Sequence, residues 1–381
     1  MARLAECHVL VVGLGGVGAY AAEQLCRAGV GRMTIVDADC VNESNLNRQL
    51  PALHSTLGRP KAEVMAERLL DINPALRLTV LNEFLRDERI HFIELDFGHP
   101  GQVETALQAA IDEMGGKWHY VVHNLGATKA PNYQAFERVN YGYLKIMVDT
   151  LKRLKAEPET FLLMSSLSVM GAGDEKIYTP FKTSDDPVPN TQYGLSKAKA
   201  ENYLTTFNPD FPYTIFRCTG VYGPHERDYY LMMKTIKHGF DFSVGFKKQM
   251  LTFIYVKDLA AAVIKALEAG PKRRAYFLSE DRAYSQQQFR RIVLRELHKK
   301  LVIPITCPLW LLRVVCFAGS LYTQLTGKGT PLNNDKYNIL KQRNWMCDTT
   351  LTKRELGFTP QYDLERGLHE TIAWYRQAGW L

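Results

Sequence analysis

Residues 8–18 have the sequence HVLVVGLGGVG, in which an apolar strand from His8 to Val12 runs directly into a glycine-rich turn. A helix-forming stretch follows through Arg27, and a second apolar strand, Met33 to Val36, ends at Asp37. Strand, glycine turn, helix, strand and acid, in this order, are typical of a dinucleotide-binding βαβ unit. The opening of the chain therefore predicts a nucleotide site on a parallel α/β sheet.

Each glycine of the turn has its own expected role. Gly13 makes the tight turn, Gly15 lets the backbone approach a phosphate, and Gly18 lets the helix pack closely on the strand. The helix N-terminus then faces the anion. Asp37 lies 19 residues after Gly18, where a carboxylate accepts hydrogen bonds from ribose hydroxyls. Because this carboxylate repels a 2′-phosphate, we expect NAD as the cofactor and keep NADP as the alternative.

Strands and helices continue to alternate until the pattern becomes irregular in the last third of the chain. The next predicted strands are Arg77 to Leu81, Ile90 to Leu95, His119 to His123, Thr160 to Met164 and Tyr213 to Arg217. This alternation predicts an α/β fold, a Rossmann-like doubly wound parallel sheet with a smaller C-terminal substrate lobe. We expect a nucleotide-binding segment over 1–89, the remainder of the sheet core over 90–280, and mainly the lobe over 281–381.

Two of these strand candidates compete for one place in the sheet. Arg77 to Leu81 and Ile90 to Leu95 are separated by too few residues for the crossover that adjacent parallel strands need. We expect Ile90 to Leu95 to run parallel in the sheet, because it carries Asp96 to the cofactor edge. Arg77 to Leu81 would then be an outer antiparallel strand or a displaced segment, and the link Asn82 to Arg89 would be exposed and mobile.

Polar residues accompany the glycine loop in the first quarter of the chain: Asp37 to Asp39 (DAD), Asn42 to Gln49 (NESNLNRQ) and Lys61. With the loop VVGLGGVG they resemble the ubiquitin-activating-enzyme-like (ThiF-like) adenylating family, most closely its bacterial tRNA threonylcarbamoyladenosine dehydratase branch. The resemblance ends at about Arg89. It implies that the loop, the aspartate and the Asn, Arg and Lys positions hold ATP.

The chain departs from that adenylating family after its next strand. Where the family has an aspartate-rich motif that holds magnesium, this chain has Tyr120 to Gly126, YVVHNLG, without an acid. We therefore expect Asn45, Arg48 and Lys61 to be inert surface residues.

A second set of motifs occupies the chain from about Leu85 onward: HNLGA at 123–127, SSLSVMG at 165–171, YGLSK at 193–197, VYGP at 221–224 and FIYVKD at 253–258. They resemble the extended short-chain dehydrogenase/reductase family, which includes NAD-dependent epimerases and dehydratases, hydroxysteroid dehydrogenases and dihydroflavonol-type reductases. That family's own first βαβ unit is missing, and the adenylating-type unit stands in its place. The chain therefore looks chimeric, with a join near residues 85–89.

The YGLSK motif places two reactive side chains one helical turn apart. Tyr193 and Lys197 face the same way on a helix, and a nearby ammonium favours the phenolate, so we expect Lys197 to lower the pKa of Tyr193. Ser166, at the end of a parallel strand, is expected to hydrogen-bond the same substrate oxygen. The resemblance assigns these three residues to catalysis and brings Lys197 to the nicotinamide ribose. Asn140 joins the catalytic set; it either holds the active-site helix or packs a helix kink.

Further cofactor contacts are implied by the same resemblance. Asn124, Gly126 and Val221 belong to the expected cofactor site, as do Tyr193 and Lys197. Asp96 is expected to bind the adenine amino group, with Phe97 flanking the ring. The alternative is that Asp96 only caps the following helix.

Composition excludes several other classes of protein. The seven cysteines form no CxxC pair, and His123 and His225 have no second ligand at a plausible spacing, so we expect neither a disulfide framework nor a metal site. A reducing, cytoplasmic location is expected, without a signal peptide. The net charge of +7 is spread along the chain, so no nucleic-acid partner is expected.

One late stretch, Cys307 to Tyr322, is strongly apolar but is interrupted by Arg313 and by Gly319-Ser320. It falls short of the roughly 20 residues that a membrane span needs. We expect an apolar-faced helix that packs on the lobe, with a membrane-touching helix as the alternative.

Together these features predict an NAD(P)-dependent oxidoreductase that transfers hydride at an alcohol or ketone carbon of a small molecule. This prediction includes a hydroxysteroid-like, a dihydroflavonol-like and an epimerase/dehydratase reaction. The sequence Leu251 to Phe253 lacks the arginine that nucleotide-sugar enzymes of the family often carry there, which argues against a diphosphate-linked sugar. An ATP-dependent adenylating enzyme and a catalytically silent chimera are the alternatives, and a homodimer is a candidate assembly.

Overall fold

A computed structural model describes residues 2–37, 39–46, 49–82, 95–113, 116–326 and 333–381. The strands are β1 (His8–Val12), β2 (Arg32–Asp37), β3 (Arg77–Asn82), β4 (Tyr120–His123), β5 (Thr160–Ser166), β6 (Tyr213–Cys218), β7 (Gly220–Tyr222), β8 (Phe240–Val244), β9 (Met250–Tyr255), β10 (Ala275–Leu278), β11 (Ala283–Ser285) and β12 (Ile303–Cys307). The α-helices are α1 (Ala2–Ala5), α2 (Gly18–Arg27), α3 (Lys61–Ile72), α4 (Pro100–Glu113), α5 (Tyr133–Glu137), α6 (Tyr143–Arg153), α7 (Gln192–Asn202), α8 (Asp228–Lys237), α9 (Val256–Ala269), α10 (Gln286–Glu296), α11 (Leu309–Thr326), α12 (Asn334–Lys341), α13 (Thr350–Leu356) and α14 (Leu364–Gln377). Short 3₁₀ helices cover Glu43–Asn45, His54–Thr56 and Leu167–Met170, and π-helical turns cover Arg138–Gly142 and Tyr203–Phe207.

The central sheet has seven strands in the order β10-β6-β5-β4-β1-β2-β3, and every neighbouring pair is parallel. The strand order reverses between β1 and β4. In open sheets of this kind, ligands bind beyond the carboxyl ends of the strands at such a reversal. The predicted Rossmann-like fold class is confirmed.

Packing on both faces explains why the central strands are apolar along their whole length. In β1, Val9 and Val11 belong to one hydrophobic cluster, which α2, α3 and α9 cover. Leu10 points to the opposite face and joins a second cluster, which α4, α6 and α7 cover. Side chains alternate between the faces of a strand, so a strand buried on both faces needs an unbroken apolar sequence.

The N-terminal βαβ unit belongs to the same sheet as the later strands. Strand β1 pairs with β2 through Val9 and Met33 and with β4 through Val9 and Tyr120. Strands β1 to β3 therefore form one edge of a sheet that the later strands continue.

The expected competition between the two strand candidates has a different outcome. Arg77–Asn82 runs parallel to β2, with Arg32 opposite Arg77 and Asp37 opposite Asn82, so the prediction of an antiparallel or displaced Arg77 to Leu81 is wrong. Helix α3 connects β2 to β3 and supplies the crossover that parallel strands require. Leu95 lies outside the strands, and the rest of Ile90 to Leu95, with 83–89, lies outside the described residues.

Smaller elements form the C-terminal lobe. Strand β9 pairs with β7 and β11, while β8 and β12 form a separate parallel ribbon. Helices α8, α10 and α14 pack around an aromatic cluster that includes Tyr222, Phe253 and Tyr375. The lobe thus has its own hydrophobic core beside the sheet.

Helix α11 differs from the expectation of a helix packed on the lobe. Leu312 and Cys316 are buried, but Trp310 and Phe317 are 69% and 62% exposed. The helix contacts its neighbours along a narrow stripe only. Within the described ranges, no helix combines the length and the apolar character that crossing a bilayer requires.

Candidate active site

The glycine loop after β1 has the geometry that its sequence predicts. Gly13 has a φ of +86°, which favours glycine, and its N–H donates to the Val36 carbonyl at 2.8 Å. A Cβ at Gly18 would lie 1.8 Å from the Gly13 carbonyl oxygen, whereas one at Gly15 would meet only the Gln49 amide nitrogen, at 3.9 Å. The loop is therefore closed tightly on the α2 side and open at Gly15, where a phosphate can approach the backbone.

The end of β2 holds a carboxylate beside this loop. Asp37 accepts the Leu14 N–H at 2.6 Å and the Asp39 N–H at 2.9 Å. The Lys61 ammonium lies 3.8 Å from Asp37 and donates to Asp39 at 2.6 Å. Burial raises the pKa of Asp37, and Lys61 opposes that rise. These contacts fix Asp37 at the carboxyl edge, next to the open part of the glycine loop.

The expectation of inert surface residues around the loop is wrong for two positions. Lys61 is 1% exposed and Asn45 is 4% exposed, because the segment after β2 folds over the loop. Both side chains are built into the interior of the nucleotide-binding unit. Arg48 lies outside the described residues.

The loop after β4 lies between the glycine loop and helix α7. A Cβ at Gly18 would lie 3.7 Å from the Asn124 amide nitrogen. A Cβ at Gly126 would lie 3.0 Å from the Lys197 ammonium and 3.1 Å from the Asn140 side-chain oxygen. A side chain at position 126 would therefore crowd both groups.

Asn140 lies in the π-helical turn and binds both neighbouring elements. Its side chain accepts the Ala127 N–H at 2.8 Å and donates to the Ala127 carbonyl at 3.1 Å. It also donates to the Ser196 hydroxyl at 2.9 Å. π-Helical turns are frequent at functional sites. These hydrogen bonds hold α7 against the loop after β4, and the membership of Asn140 in a catalytic set stays a prediction.

Helix α7 carries the predicted Tyr193 and Lys197. Its first turn is capped by the Thr191 hydroxyl, which accepts the Gly194 N–H at 2.9 Å. The Asp335 carboxylate of α12 accepts the Gln192 and Tyr193 N–H groups at 2.7 and 3.3 Å. A carboxylate at a helix N-terminus is stabilising, so α12 fixes the turn that carries Tyr193.

The two reactive groups have shifted pKa values. Burial raises the pKa of Tyr193 to about 12, although its hydrogen bond with Ser166 acts in the opposite direction. Burial lowers the pKa of Lys197 to about 8, and its ammonium donates to the Met164 carbonyl at 2.9 Å. The expected lowering of the Tyr193 pKa by Lys197 is therefore not what the structure shows. Tyr193 is a neutral phenol at neutral pH, suited to donate a proton.

An ion pair lies beneath this site. Glu201 accepts from Arg217 at 2.7 and 3.0 Å and from the Ser165 hydroxyl at 2.5 Å. Glu201 and Arg217 are 3% and 6% exposed. The pair ties α7 to β5 and β6 directly behind Ser166.

The remaining predicted cofactor residues lie apart from this cluster. The exposed Asp96 accepts the Gly98 N–H at 2.8 Å and contacts His99 at 2.7 Å, which fits the alternative of a cap before α4. Phe97 stacks on Tyr143 with ring centroids 4.6 Å apart. On the strand next to β2, the residue that pairs with Asp37 is Asn82 of β3.

Val221 has a packing role in the structure. It lies in β7 opposite Ile254 of β9. Its side chain packs against the hydrophobic cluster that contains Val9 and against the aromatic cluster of the lobe. Its place in a cofactor site stays a prediction.

The two histidines named from the sequence are buried and neutral. His225 contacts the Leu46 carbonyl at 3.2 Å and packs against Trp374, and its pKa is lowered to about 3 by burial. His123 stacks on Phe161, and in the described part of the chain its Nε2 has no hydrogen-bond partner. The described ranges contain no group of three or more His, Cys, Asp or Glu residues that could hold a metal ion.

Acid unfolding should depend on His123. Burial lowers its pKa from 6.5 to about 3, so the unfolded chain binds more protons between these pH values. The folded state then loses stability as the pH falls through this window, by up to about 1.4 kcal/mol per pH unit. His123→Phe keeps the stacking on Phe161 and should flatten this loss, measured by urea unfolding at pH 7, 6 and 5. The exposed His238→Gln is the control, and unchanged pH dependence in His123→Phe would refute the assignment.

Sequence reasoning missed two contributors to this site. Asp335 lies 142 residues after Tyr193. The sequence around an acidic residue in a polar helix does not indicate which backbone groups its carboxylate will bind. Glu201 lies four residues after Lys197, on the same side of α7, and this spacing was an available signal for a buried acid behind Ser166.

Two family models match successive parts of the chain. Residues 1–115 match the ThiF family, and residues 137–308 match the RmlD substrate binding domain. The first match contains β1 to β3 and ends before β4. The second begins within α5 and contains Tyr193 and Lys197.

Relatives and solved structures divide the chain in the same way. The tRNA threonylcarbamoyladenosine dehydratase of Escherichia coli K12 is 49% identical over 86 residues, 23% of this chain and 32% of the relative. The chain thus spans about a third of the length of the curated relatives that match its N-terminus. The UDP-glucose 4-epimerase of Vibrio cholerae is 26% identical over 222 residues, 57% of this chain and 63% of the relative.

The fold as a whole is similar to that of an epimerase. The crystal structure of UDP-glucuronic acid 4-epimerase from Bacillus cereus in complex with NAD superposes with a TM-score of 0.66, covering 97% of this chain and 99% of that one at 15% identity. The chain is therefore a fusion, in which a ThiF-family segment supplies the first strands of a Rossmann-like sheet that an epimerase/dehydratase-like segment completes.

Proposed function

We propose that this chain is an NAD-dependent oxidoreductase of the extended short-chain dehydrogenase type, acting at an alcohol or ketone carbon. The observation that carries the proposal is the closeness of three elements along one sheet edge. A Cβ built at Gly18 of the glycine loop would lie 3.7 Å from the Asn124 amide, and one at Gly126 would lie 3.0 Å from the Lys197 ammonium. Tyr193, on the same helix as Lys197, interacts with Ser166. A nucleotide bound at the loop would reach the acid/base pair along one sheet edge.

The residues present fit NAD. The open backbone at Gly15 suits the pyrophosphate, Asp37 suits a ribose diol, and Lys197 suits the second ribose. NAD supplies the hydride acceptor or, when reduced, the hydride donor. The similar fold of the Bacillus cereus UDP-glucuronic acid 4-epimerase, whose crystal structure is a complex with NAD, supports this choice.

The protein's own groups manage the proton. In the reducing direction Tyr193 donates its phenolic proton to the carbonyl oxygen as the hydride reaches the carbon, and the Ser166 hydroxyl hydrogen-bonds that oxygen. In the oxidising direction the same proton returns to Tyr193. The phenolate that remains after donation keeps its interaction with Ser166, while Lys197, beside Gly126, would hold the cofactor ribose. An epimerase or dehydratase reaction would begin with the same hydride step.

The substrate side favours a hydrophobic alcohol or ketone over a diphosphate-linked sugar. Thr252, where nucleotide-sugar enzymes often have arginine one residue before the aromatic, is buried and donates to the Trp345 carbonyl at 2.6 Å. The nearby Arg343 is 1% exposed, and its donors are directed at the carbonyls of Leu340, Lys341 and Val244. Neither position offers a free cation to a diphosphate.

A substrate panel tests this choice. Apolar ketones are added with NADH and UDP-linked sugars with NAD; NADH absorbance is followed in both cases, and the sugar products are separated by chromatography. Oxidation of NADH by apolar ketones is expected; turnover of UDP-sugars alone would reverse the substrate proposal.

An adenylating activity is the second candidate, because the N-terminal identity to adenylating relatives is high. It needs a divalent cation at the triphosphate, and the segment after β4 has His123 and Asn124 where an acid would be required. The oxidoreductase proposal accounts for more of the site.

Cofactor choice should follow Asp37. Its carboxylate favours ribose hydroxyls and repels a 2′-phosphate, so the wild-type protein should bind NAD at least tenfold more tightly than NADP. Replacing Asp37 by Ser should weaken NAD binding by about 10- to 100-fold, the effect of losing charged hydrogen bonds. Both cofactors are titrated against the protein's tryptophan fluorescence.

The neighbouring Asp39→Ser variant is the control, because it removes the same charge from an exposed side chain. It should keep the preference for NAD. Tighter NADP binding by the wild type, or indifference to Asp37→Ser, would disprove the role of Asp37.

A further inference from the structure

A broad apolar face is exposed on the C-terminal lobe. It consists of the outward side of α11, the outward side of the β8–β12 ribbon, and the two loops that flank the ribbon. Its most exposed members include Leu301, 88% exposed, and Phe246, 82% exposed. Monomeric proteins in water rarely leave so many large apolar side chains together on one surface.

Helix α11 is apolar on both sides. Leu312 and Cys316 form its buried stripe, while Trp310, Val314 and Phe317 follow the helical repeat on the outer side and are exposed. A helix that is apolar all round is normally covered all round. The outer stripe of α11 therefore lacks a cover within the described part of the chain.

The ribbon continues this face. Ile303 pairs with Phe240 and Ile305 with Phe242, so all four side chains project to one side, and all four are exposed. Asp241 lies on the other side, buried against Arg290 at 3.2 Å. The ribbon leads through Cys307 and Pro308 into α11, and a Cβ built at Gly245, at the end of the ribbon, would lie 3.4 Å from the Leu309 side chain.

Charge at the rim of the face is of one sign. Lys299 and Lys300 precede β12, and Lys247 and Lys248 follow β8; all four are exposed. The sequence from 299 to 322 contains no acid, and that from 237 to 250 contains only the buried Asp241. A second copy of the same face would bring these lysines against each other. Anionic phosphate groups would complement them.

We propose that this apolar face docks on the surface of a bilayer that contains anionic lipid. The outer side of α11 and the ribbon enter the boundary between headgroups and acyl chains, and the lysine rim contacts lipid phosphates. Trp310 and Tyr322, near the two ends of α11, belong to the residue types that favour this boundary. The protein binds as a peripheral protein, and this binding is independent of the proposed oxidoreductase activity.

Vesicle sedimentation tests the proposal with the full chain. The protein is mixed with vesicles of phosphatidylcholine alone or of phosphatidylcholine with phosphatidylglycerol, at low and at high salt. We expect pelleting with the anionic vesicles, weaker at high salt, and at least tenfold less binding to neutral vesicles. Absence of binding to the anionic vesicles would overturn the proposal.

Two matched pairs of variants locate the surface. Trp310→Ser/Phe317→Ser should reduce anionic-vesicle binding at least tenfold, whereas Ile177→Ser, at another exposed apolar side chain, should not. Lys299→Glu/Lys300→Glu should remove the preference for anionic lipid, whereas Lys117→Glu/Lys155→Glu, on the loops before β4 and β5, should keep it. All variants change exposed residues and should unfold like the wild type.

Self-association is the competing outcome. Light scattering that shows a dimer in the wild type and a monomer in Trp310→Ser/Phe317→Ser would assign the face to a second copy and refute membrane docking. Equal vesicle binding by this variant and by Ile177→Ser would refute it as well.

Discussion

Replacing Tyr193 by Phe should lower kcat by about 10²- to 10⁴-fold, the usual contribution of a positioned general acid or base. The variant loses only the phenolic oxygen, which bonds Ser166, while the aromatic packing against Phe136 remains. The glycine loop and Asp37 are untouched, so NAD affinity should stay nearly constant. The split between a lost kcat and a retained cofactor Kd separates a catalytic role from a structural one.

Tyr141→Phe provides the matched control for this variant. Tyr141 lies in the π-helical turn beside Asn140, and its ring packs edge-on against Tyr203. Its hydroxyl has no assigned role in the chemistry, so activity should remain within about twofold of wild type. Full activity in Tyr193→Phe, or equal losses in both variants, would refute the assignment of Tyr193.

The second large effect concerns stability. Glu201→Leu should lower the free energy of unfolding by about 3–5 kcal/mol, because it leaves the charge of Arg217 buried without its partner. Among the described side chains, Arg217 would keep its contacts with the Met170 sulfur and the Phe277 ring, neither of which carries a charge. Urea unfolding at neutral pH measures the loss.

Two further variants show whether the ion pair is the cause. Glu137→Gln removes the partner of Lys199 on the exposed side of the same helix and should cost at most about 1 kcal/mol. Glu201→Leu/Arg217→Leu removes both buried charges and should recover most of the lost stability. A loss below about 1 kcal/mol in Glu201→Leu alone would contradict this account.

The features that the sequence predicts well are local. The glycine loop, β1 and β2 follow from backbone requirements and apolar runs within 30 residues of each other, and the structure shows them at the predicted places. The one-turn spacing of Tyr193 and Lys197 likewise needs only a helix. The approach of Tyr193 to Ser166 follows because Ser166 ends a parallel strand at the carboxyl edge of the sheet.

The features that the sequence predicts poorly depend on distant partners. The sequence predicts the wrong orientation for β3 because it gives Ile90 to Leu95 the sheet position that Arg77–Asn82 takes, with α3 as its crossover. The sequence also predicts Lys61 at the surface, yet in the structure Lys61 is buried. The composition of α11 indicates an apolar helix but carries no information on how many of its sides the lobe covers.

The pKa of Tyr193 shows a further limit of spacing arguments. A lysine one turn away predicts a lowered pKa, but burial acts more strongly and raises it to about 12. The Lys197 ammonium is instead held by the Met164 carbonyl and lies beside Gly126. The two side chains share a helix face without forming a direct pair.

The central claim is that a ThiF-family βαβ unit completes a working NAD site. Its most direct test is a fluorescence titration of NADH, with ATP titrated in parallel, on wild type and on Gly15→Asp. Gly15 has no positive φ and open space around it, so Gly15→Asp should fold, but its carboxylate would repel the pyrophosphate. Gly101→Asp, at an equally open glycine in α4, is the control. We predict saturable NADH binding by wild type and Gly101→Asp and its loss in Gly15→Asp; saturable binding of ATP without any binding of NADH would contradict the claim.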